Sequence, residues 1–341
     1  MREYLAALEG ELALRLGAGG DPQPVDTIYL GGGTPSLLGA AGIADALGVL
    51  RGYFRPAPNA EVTIEVNPED VGERSVQGWR AAGVTRISLG VQSFDPRVLA
   101  WMHRVHDAET AQHAAALVAA AGFASWSLDL IFALPEELGR DWRRDLDAAL
   151  ALDPPHVSLY GLTVEPHTPL FKWVARGTAS DAPEERYEQE FLEADVRLTN
   201  AGLRHYEVSN YARPQRVSRH NSAYWSGAPY VGFGPSAHTF DGNERRWNVR
   251  EYQAWVRQVR AGNDPQAGNE VLTSEQRSIE RLYLGLRSGG ISVDVVPPEI
   301  VERWCAEGWA VRDESWVRLT AKGWLRLDAL VAALTVYSNH C

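Results

Sequence analysis

Cysteine is nearly absent from this sequence: Cys305 and Cys341 are the only two in 341 residues. Two thiols cannot build a disulfide framework, and they are too few to hold a Cys-ligated iron–sulfur cluster. Cys305 sits in the apolar stretch VERWCAEGW and reads as a core residue, and Cys341 as an exposed terminal thiol. Long apolar runs are missing too, and none approaches the roughly eighteen residues that span a bilayer. The N-terminus lacks the profile of a signal peptide. MREYLAALEGELALRLG places Arg2, Glu3, Glu9 and Glu11 within a helical period, so a cytoplasmic location is the default expectation. Positive charge is in deficit: 33 Lys and Arg against 44 Asp and Glu, a net −11. A broad phosphate-binding surface is not expected of such a chain, and no nucleic-acid partner is assigned.

What is present is an alternating rhythm. Residues 1–17 read as an amphipathic helix. Apolar, β-branched runs follow at Thr27–Leu30, Val62–Val66, Arg86–Val91, Trp126–Ile131 and His156–Tyr160. Helical stretches near 38–54, 72–82, 108–121 and 140–151 separate them. This succession predicts an α/β fold, a parallel sheet with helices outside. After Tyr160 the rhythm changes to a proline-containing loop, a charged helix near 183–200, a short strand at Arg204–Glu207 and a Gly/Pro/aromatic segment from Asn210 to Trp247. From Glu251 helices dominate. The tail, 273–335, reads helix, helix, β-hairpin (WAVRDESWVRL), helix. Its outline resembles a winged helix, and with this charge it reads as a packing module. Length and rhythm together suggest two domains, 1–210 and 211–341.

Parallel α/β sheets place ligands at the carboxyl ends of their strands. The first end is LGGGTPS, with Gly31, Gly32, Gly33, Thr34 and Pro35. Its glycines let a ligand approach the backbone closely. The loop has neither the Lys of a phosphate loop nor dinucleotide-fold spacing. Later ends offer Glu65, Gln92, Asp129 and Thr163, with Arg104 between the third and fourth strands. Each has a plain structural alternative: Glu65 could cap a helix or pair with Arg104, and Asp129 could bind backbone amides. As a set around one mouth they have the composition of a small-molecule site.

GGGTPS, EVNPE, GVQSF and the LDLI…LP run, in this order, resemble the radical-SAM HemN/HemW family. The spacing fits as well: 27 residues from Glu65 to Gln92, 12 on to Arg104, 25 on to Asp129. The resemblance implies a partial (β/α)6 barrel, its first strand missing, with an α-rich C-terminal domain containing a small hairpin. It implies that Gly31–Pro35 lie along the methionine part of S-adenosylmethionine, Glu65 faces its ammonium and Arg104 pairs with its carboxylate. Gln92 and Asp129 would hold the ribose hydroxyls, and Thr163 would lie near the adenine. The later run RHNSAYW, with His220, Asn221, Tyr224 and Trp225, matches the HNxxYW pattern of the heme-binding branch. VGFGPSAHTF adds His238. The alternative for RHNSAYW is a capped turn with aromatic core residues.

The family's CxxxCxxC motif, which holds a [4Fe–4S] cluster, is missing. Either Met1 is a misassigned start or the protein is a cluster-less relative; persistence of the S-adenosylmethionine-contacting residues favours the first. The resemblance implies a heme-binding chaperone, with heme or porphyrin and a heme-receiving protein as partners. An oxygen-independent coproporphyrinogen III oxidase and a cluster-less small-molecule binder are the alternatives. Whether the protein is an enzyme, and which residues would be catalytic, stay open.

Overall fold

The computed structural model describes residues 1–166 and 168–338. Helix α1 (Arg2–Leu16) leads to β1 (Gln23–Leu30), α2 (Gly39–Arg51), β2 (Phe54–Val66), α3 (Glu73–Ala81) and β3 (Arg86–Gln92). The chain continues through α4 (Pro96–Trp101), α5 (Ala108–Ala120), β4 (Ser125–Phe132), α6 (Trp142–Ala151) and β5 (His156–Gly161). Strands β1 to β5 lie side by side in sequence order, all parallel. Helices α7 (Pro169–Ala175) and α8 (Glu184–Asn200) precede the hairpin β6 (Arg204–Glu207) and β7 (Asn210–Ala212). Strand β7 pairs antiparallel with β5. The product is a curled seven-stranded half-barrel, the α/β architecture expected.

Period-two alternation builds the two faces of this sheet. Ile64, Ile87, Leu89, Leu128, Leu130 and Val157 point outward and are fully buried under the helices. Thr63, Ser88, Ser127, Asp129 and Ser158 are buried on the opposite face. Aspartates start three of the helices: Asp95, Asp107 and Asp141 each accept from backbone N–H groups of α4, α5 and α6. Such N-caps satisfy donors that have no partner within the helix.

Beyond the sheet come α9 (Arg219–Trp225), β8 (His238–Phe240), β9 (Glu244–Asn248), α10 (Tyr252–Arg260) and β10 (Gln266–Val271). The tail holds α11 (Ser274–Arg287), β11 (Ile291–Ser292), α12 (Pro298–Ala306), β12 (Ala310–Arg312), β13 (Trp316–Leu319), α13 (Ala321–Trp324) and α14 (Leu327–Ser338). The expected tail hairpin is β12–β13, joined by β11 into a small sheet. Cys305 is half-buried against the main core, while Cys341 lies outside the described residues. No helix among the described residues is long and apolar enough to cross a membrane.

Three expectations need correction. Strand β2 begins at Phe54, not Val62: the FRPAPNAE stretch pairs with the start of β1 through a register shift between Val25 and Thr27. Prolines 56 and 58 hid it, because proline removes a ladder donor. The Asn210–Trp247 segment contains β7 and most of a second sheet, β10–β9–β8. The expected boundary at residue 210 therefore cuts into β7, whose pairing with β5 keeps it within the barrel.

Helix α1 carries a feature its pattern did not announce. Glu11 is fully buried. Its carboxylate accepts from the Gly234 N–H (2.8 Å), Asn248 Nδ2 (2.7 Å), Trp255 Nε1 (2.8 Å) and Arg15 Nη1 (3.0 Å). A buried charge of this kind is stable only because donors surround it. Replacing Glu11→Ala removes the shared acceptor of a buried arginine and three neutral donors. The expected loss is about 3 kcal/mol of unfolding free energy, read as a lower urea midpoint with an unchanged m-value.

Candidate functional site

Strand β1 ends at Leu30, and the glycine loop follows at once. Glu65, on β2, fixes that loop: it accepts from Tyr29 Oη at 2.7 Å and from the Gly32 N–H at 3.1 Å. Gly31 lies so close to this pair that a Cβ there would stand 2.3 Å from Tyr29 Cε1 and 2.7 Å from Glu65 Oε1. Gly32 has φ 85°, the left-handed region that side chains disfavour. Thr34 and Pro35 then open a 3-10 turn, Pro35–Leu38. Burial, with the adjacent Glu65 charge adding to it, raises the Tyr29 phenol well above its ordinary value, so it stays a donor.

Gln92 ends β3 with φ 69°, a strained backbone for a non-glycine residue. Its register shift against β4 turns the side chain toward the mouth. Asp129, on β4, is buried and accepts from Ser88 Oγ at 2.7 Å and Ser127 Oγ at 3.3 Å. Burial nevertheless raises its carboxyl to about 6. Arg104 donates to Asn67 Oδ1 at 3.3 Å and has no carboxylate partner among the described residues. Its loop is pinned by buried His106, whose ring lies 3.0 Å from Glu69 Oε2 and 3.1 Å from the Val91 carbonyl.

These groups share one cavity of about 310 Å³. It brings together Gly33, Thr34, Glu65, Gln92, Arg104 and Asp129. It also includes Tyr29, Asn67, Ser88 and Tyr160, which the strand-end reading passed over. Asn67 was in view within EVNPE, but nothing in its type marked it as lining. Thr163 is elsewhere. It lines a different cavity with Gly161, Tyr187 and Arg287, because the chain turns away after β5.

A second cavity, of about 550 Å³, runs along β1. Gly31 and Gly32 form one end of it, and His220, Tyr224 and His238 line it with Leu8, Phe54 and Phe233. Helix α9 sets His220 and Tyr224 four residues apart on one face. Their rings meet edge-on at 5.0 Å, and His220 Nε2 is 3.0 Å from Tyr224 Oη. The other nitrogen, Nδ1, is 2.8 Å from Thr27 Oγ1, and the ring stacks on Tyr29 at 4.8 Å. Burial lowers the pKa of His220, which favours neutral imidazole. Trp225 faces another way, into a cleft with Glu207, Arg281 and Arg318. Asn221 sits in the first turn of α9, its backbone N–H donating to Ser218 Oγ at 3.2 Å.

Residues 8–149 match the family model of the radical SAM superfamily. The chain is 39% identical over 335 residues to the heme chaperone HemW of Mycobacterium tuberculosis H37Rv, covering 97% of this chain and 86% of that protein. The chain belongs to the radical-SAM HemN/HemW family. It is also 33% identical over 319 residues to the heme chaperone HemW of Escherichia coli K12, covering 90% of this chain and 83% of that protein. The solved structure of coproporphyrinogen III oxidase HemN from Escherichia coli superposes with a TM-score of 0.80 at 24% identity. It covers 98% of this chain and 83% of that one, and it shows the shared fold.

Within this family frame, the two cofactors fare differently. The polar cavity suits S-adenosylmethionine: the open backbone at Gly33, an arginine without a carboxylate partner among the described residues and a buried carboxyl converge there. An iron–sulfur cluster does not fit this chain's own residues. Two cysteines fall short of three thiolates, and no metal-holding group of His, Cys, Asp and Glu occurs among the described residues.

Asp129 gives the polar cavity a pH signature. Its carboxyl ionises near 3.8 when unfolded and about 6 when folded. The folded state thus holds the proton more tightly, so stability falls as pH rises from about 4 to 6. At 1.36 kcal/mol per pKa unit the cost is about 3 kcal/mol above that window. Asp129→Asn should gain about that much on wild type between pH 4 and 6, measured by urea unfolding across the range. A difference that stays flat with pH would refute the assignment.

Proposed function

We propose that this chain is a heme chaperone of the HemW type, carried on a radical-SAM half-barrel. The observation that carries the reading is identity with HemW proteins across nearly the whole chain, 39% over 97% of its length. That span includes the segment from His220 to His238 as well as the strand ends. The likeness to coproporphyrinogen III oxidase is one of fold, so it lends no weight to an oxidase activity.

In this reading each cavity has its own occupant. The polar one takes S-adenosylmethionine, whose carboxylate suits the Arg104 guanidinium. Gln92 and Asp129 accept or share hydrogens with the ribose hydroxyls, and Glu65 faces the ammonium while holding the glycine loop in place. Thr163 lines a different cavity and is left out of this site. The larger cavity takes the porphyrin. At about 550 Å³ it falls in the range of ligand pockets, and Tyr224, Phe54 and Phe233 supply aromatic flanks. Heme is cargo here, and a heme-receiving protein is the implied recipient.

Hemin titration of the purified chain tests this division. Wild type should bind one hemin, with a shifted Soret band. Tyr224→Ala should weaken binding by tenfold or more, about 1.4 kcal/mol. Gln92→Ala, in the other cavity, should leave hemin affinity unchanged. Equal effects from both substitutions would contradict separate sites.

A further inference from the structure

We infer that His238, rather than His220, supplies the imidazole that coordinates the iron of the bound porphyrin. The inference rests on the heme-chaperone reading above and concerns the same cavity.

An imidazole ligates iron through a nitrogen that carries no hydrogen. Both ring nitrogens of His220 are engaged, at 2.8 Å with Thr27 Oγ1 and 3.0 Å with Tyr224 Oη. Its ring is further held by stacking on Tyr29, 4.8 Å between centroids at 20°. Ligation by His220 must first break one of these hydrogen bonds.

His238 has the opposite arrangement. It is exposed on β8 and lines the cavity. Its Nδ1 lies 2.9 Å from the Ser236 carbonyl. A carbonyl only accepts, so Nδ1 carries the hydrogen and Nε2 keeps its lone pair. No hydrogen-bond partner occupies Nε2 among the described residues. Metal-binding histidines are commonly fixed in this way, one nitrogen donating to a backbone carbonyl while the other faces the metal.

The backbone enforces the geometry. Ser236 has φ 59°, left-handed for a non-glycine residue, and its N–H donates to the Val249 carbonyl at 3.0 Å. The strained turn therefore holds the Ser236 carbonyl where the His238 ring meets it. On the other side, Gly232 presses against β8 so closely that a Cβ would come within 2.3 Å of the His238 carbonyl oxygen. The His238 ring also lies stacked near Trp247, at 6.2 Å and 30°. The ligand is thus presented before any porphyrin arrives. His220, locked to Thr27 and Tyr224, becomes part of the aromatic wall.

The test is hemin titration of the full chain, read by Soret absorption and by electron paramagnetic resonance of the ferric iron. His238→Ala should lower hemin affinity at least tenfold and remove the imidazole-ligated spectrum, and added free imidazole should restore that spectrum. His238→Met should retain binding with an altered spectrum, sulfur replacing nitrogen. His220→Ala should keep the imidazole-ligated spectrum. An unchanged spectrum and affinity in both His238 variants would overturn the inference, as would loss of imidazole ligation in His220→Ala alone. Failure of the wild-type chain to bind hemin at all would instead overturn the heme-chaperone reading.

Discussion

The polar inner face of the curled sheet is the constraint from which the rest follows. Glu61, Arg86, Ser88, Asp129, His156 and Ser158 are costly to seal against hydrocarbon without hydrogen-bond partners. The chain meets this demand in two ways. Toward the amino ends, it returns after β7 and plugs the lumen. Glu61 accepts from the backbone N–H groups of Arg219 and His220, Arg86 donates to the Arg216 carbonyl, and His156 bonds to Tyr206 Oη. Toward the carboxyl ends no segment among the described residues fills the lumen. There Asp129, Gln92 and Arg104 face a cavity whose polarity calls for a polar ligand.

Tyr29 stands where the two cavities meet. Its hydroxyl donates to Glu65 on the polar side, and its ring stacks on His220 on the apolar side. It lines both cavities. A single side chain therefore separates the polar cavity from the larger, aromatic-lined one. The Glu65 contact that fixes the glycine loop also fixes this partition.

Most of the half-barrel was legible because period-two alternation and strand–helix rhythm are local signals. Glu65, Gln92, Arg104 and Asp129 could be picked out because polar groups at strand ends contradict an apolar pattern. What stayed hidden depends on distant partners. The first half of β2 reads as a proline loop until β1 pairs with it. Strands β7 and β8 are only three residues each, too short for alternation to show, and β7 is joined to the barrel by pairing with the distant β5. Glu11 looked like one more surface charge on a helix, and only its four donors from outside and within α1 explain its burial. Thr163 occupied the right place in the sequence, yet the turn after β5 sent it to another cavity. The contrast between His220 and His238 rests on a carbonyl direction set by one left-handed serine, which no spacing rule encodes.

The anchoring of α1 also bears on how the chain assembles as it is made. The Glu11 partners lie 223, 237 and 244 residues downstream. At synthesis rates of about 5–20 residues per second, roughly 12–50 s separate the appearance of Glu11 from that of Trp255. During that interval the carboxylate must stay hydrated, and the helix face that buries it must wait undocked. Helix α1 is therefore made well before it can settle, and its docking waits until Trp255 has been added.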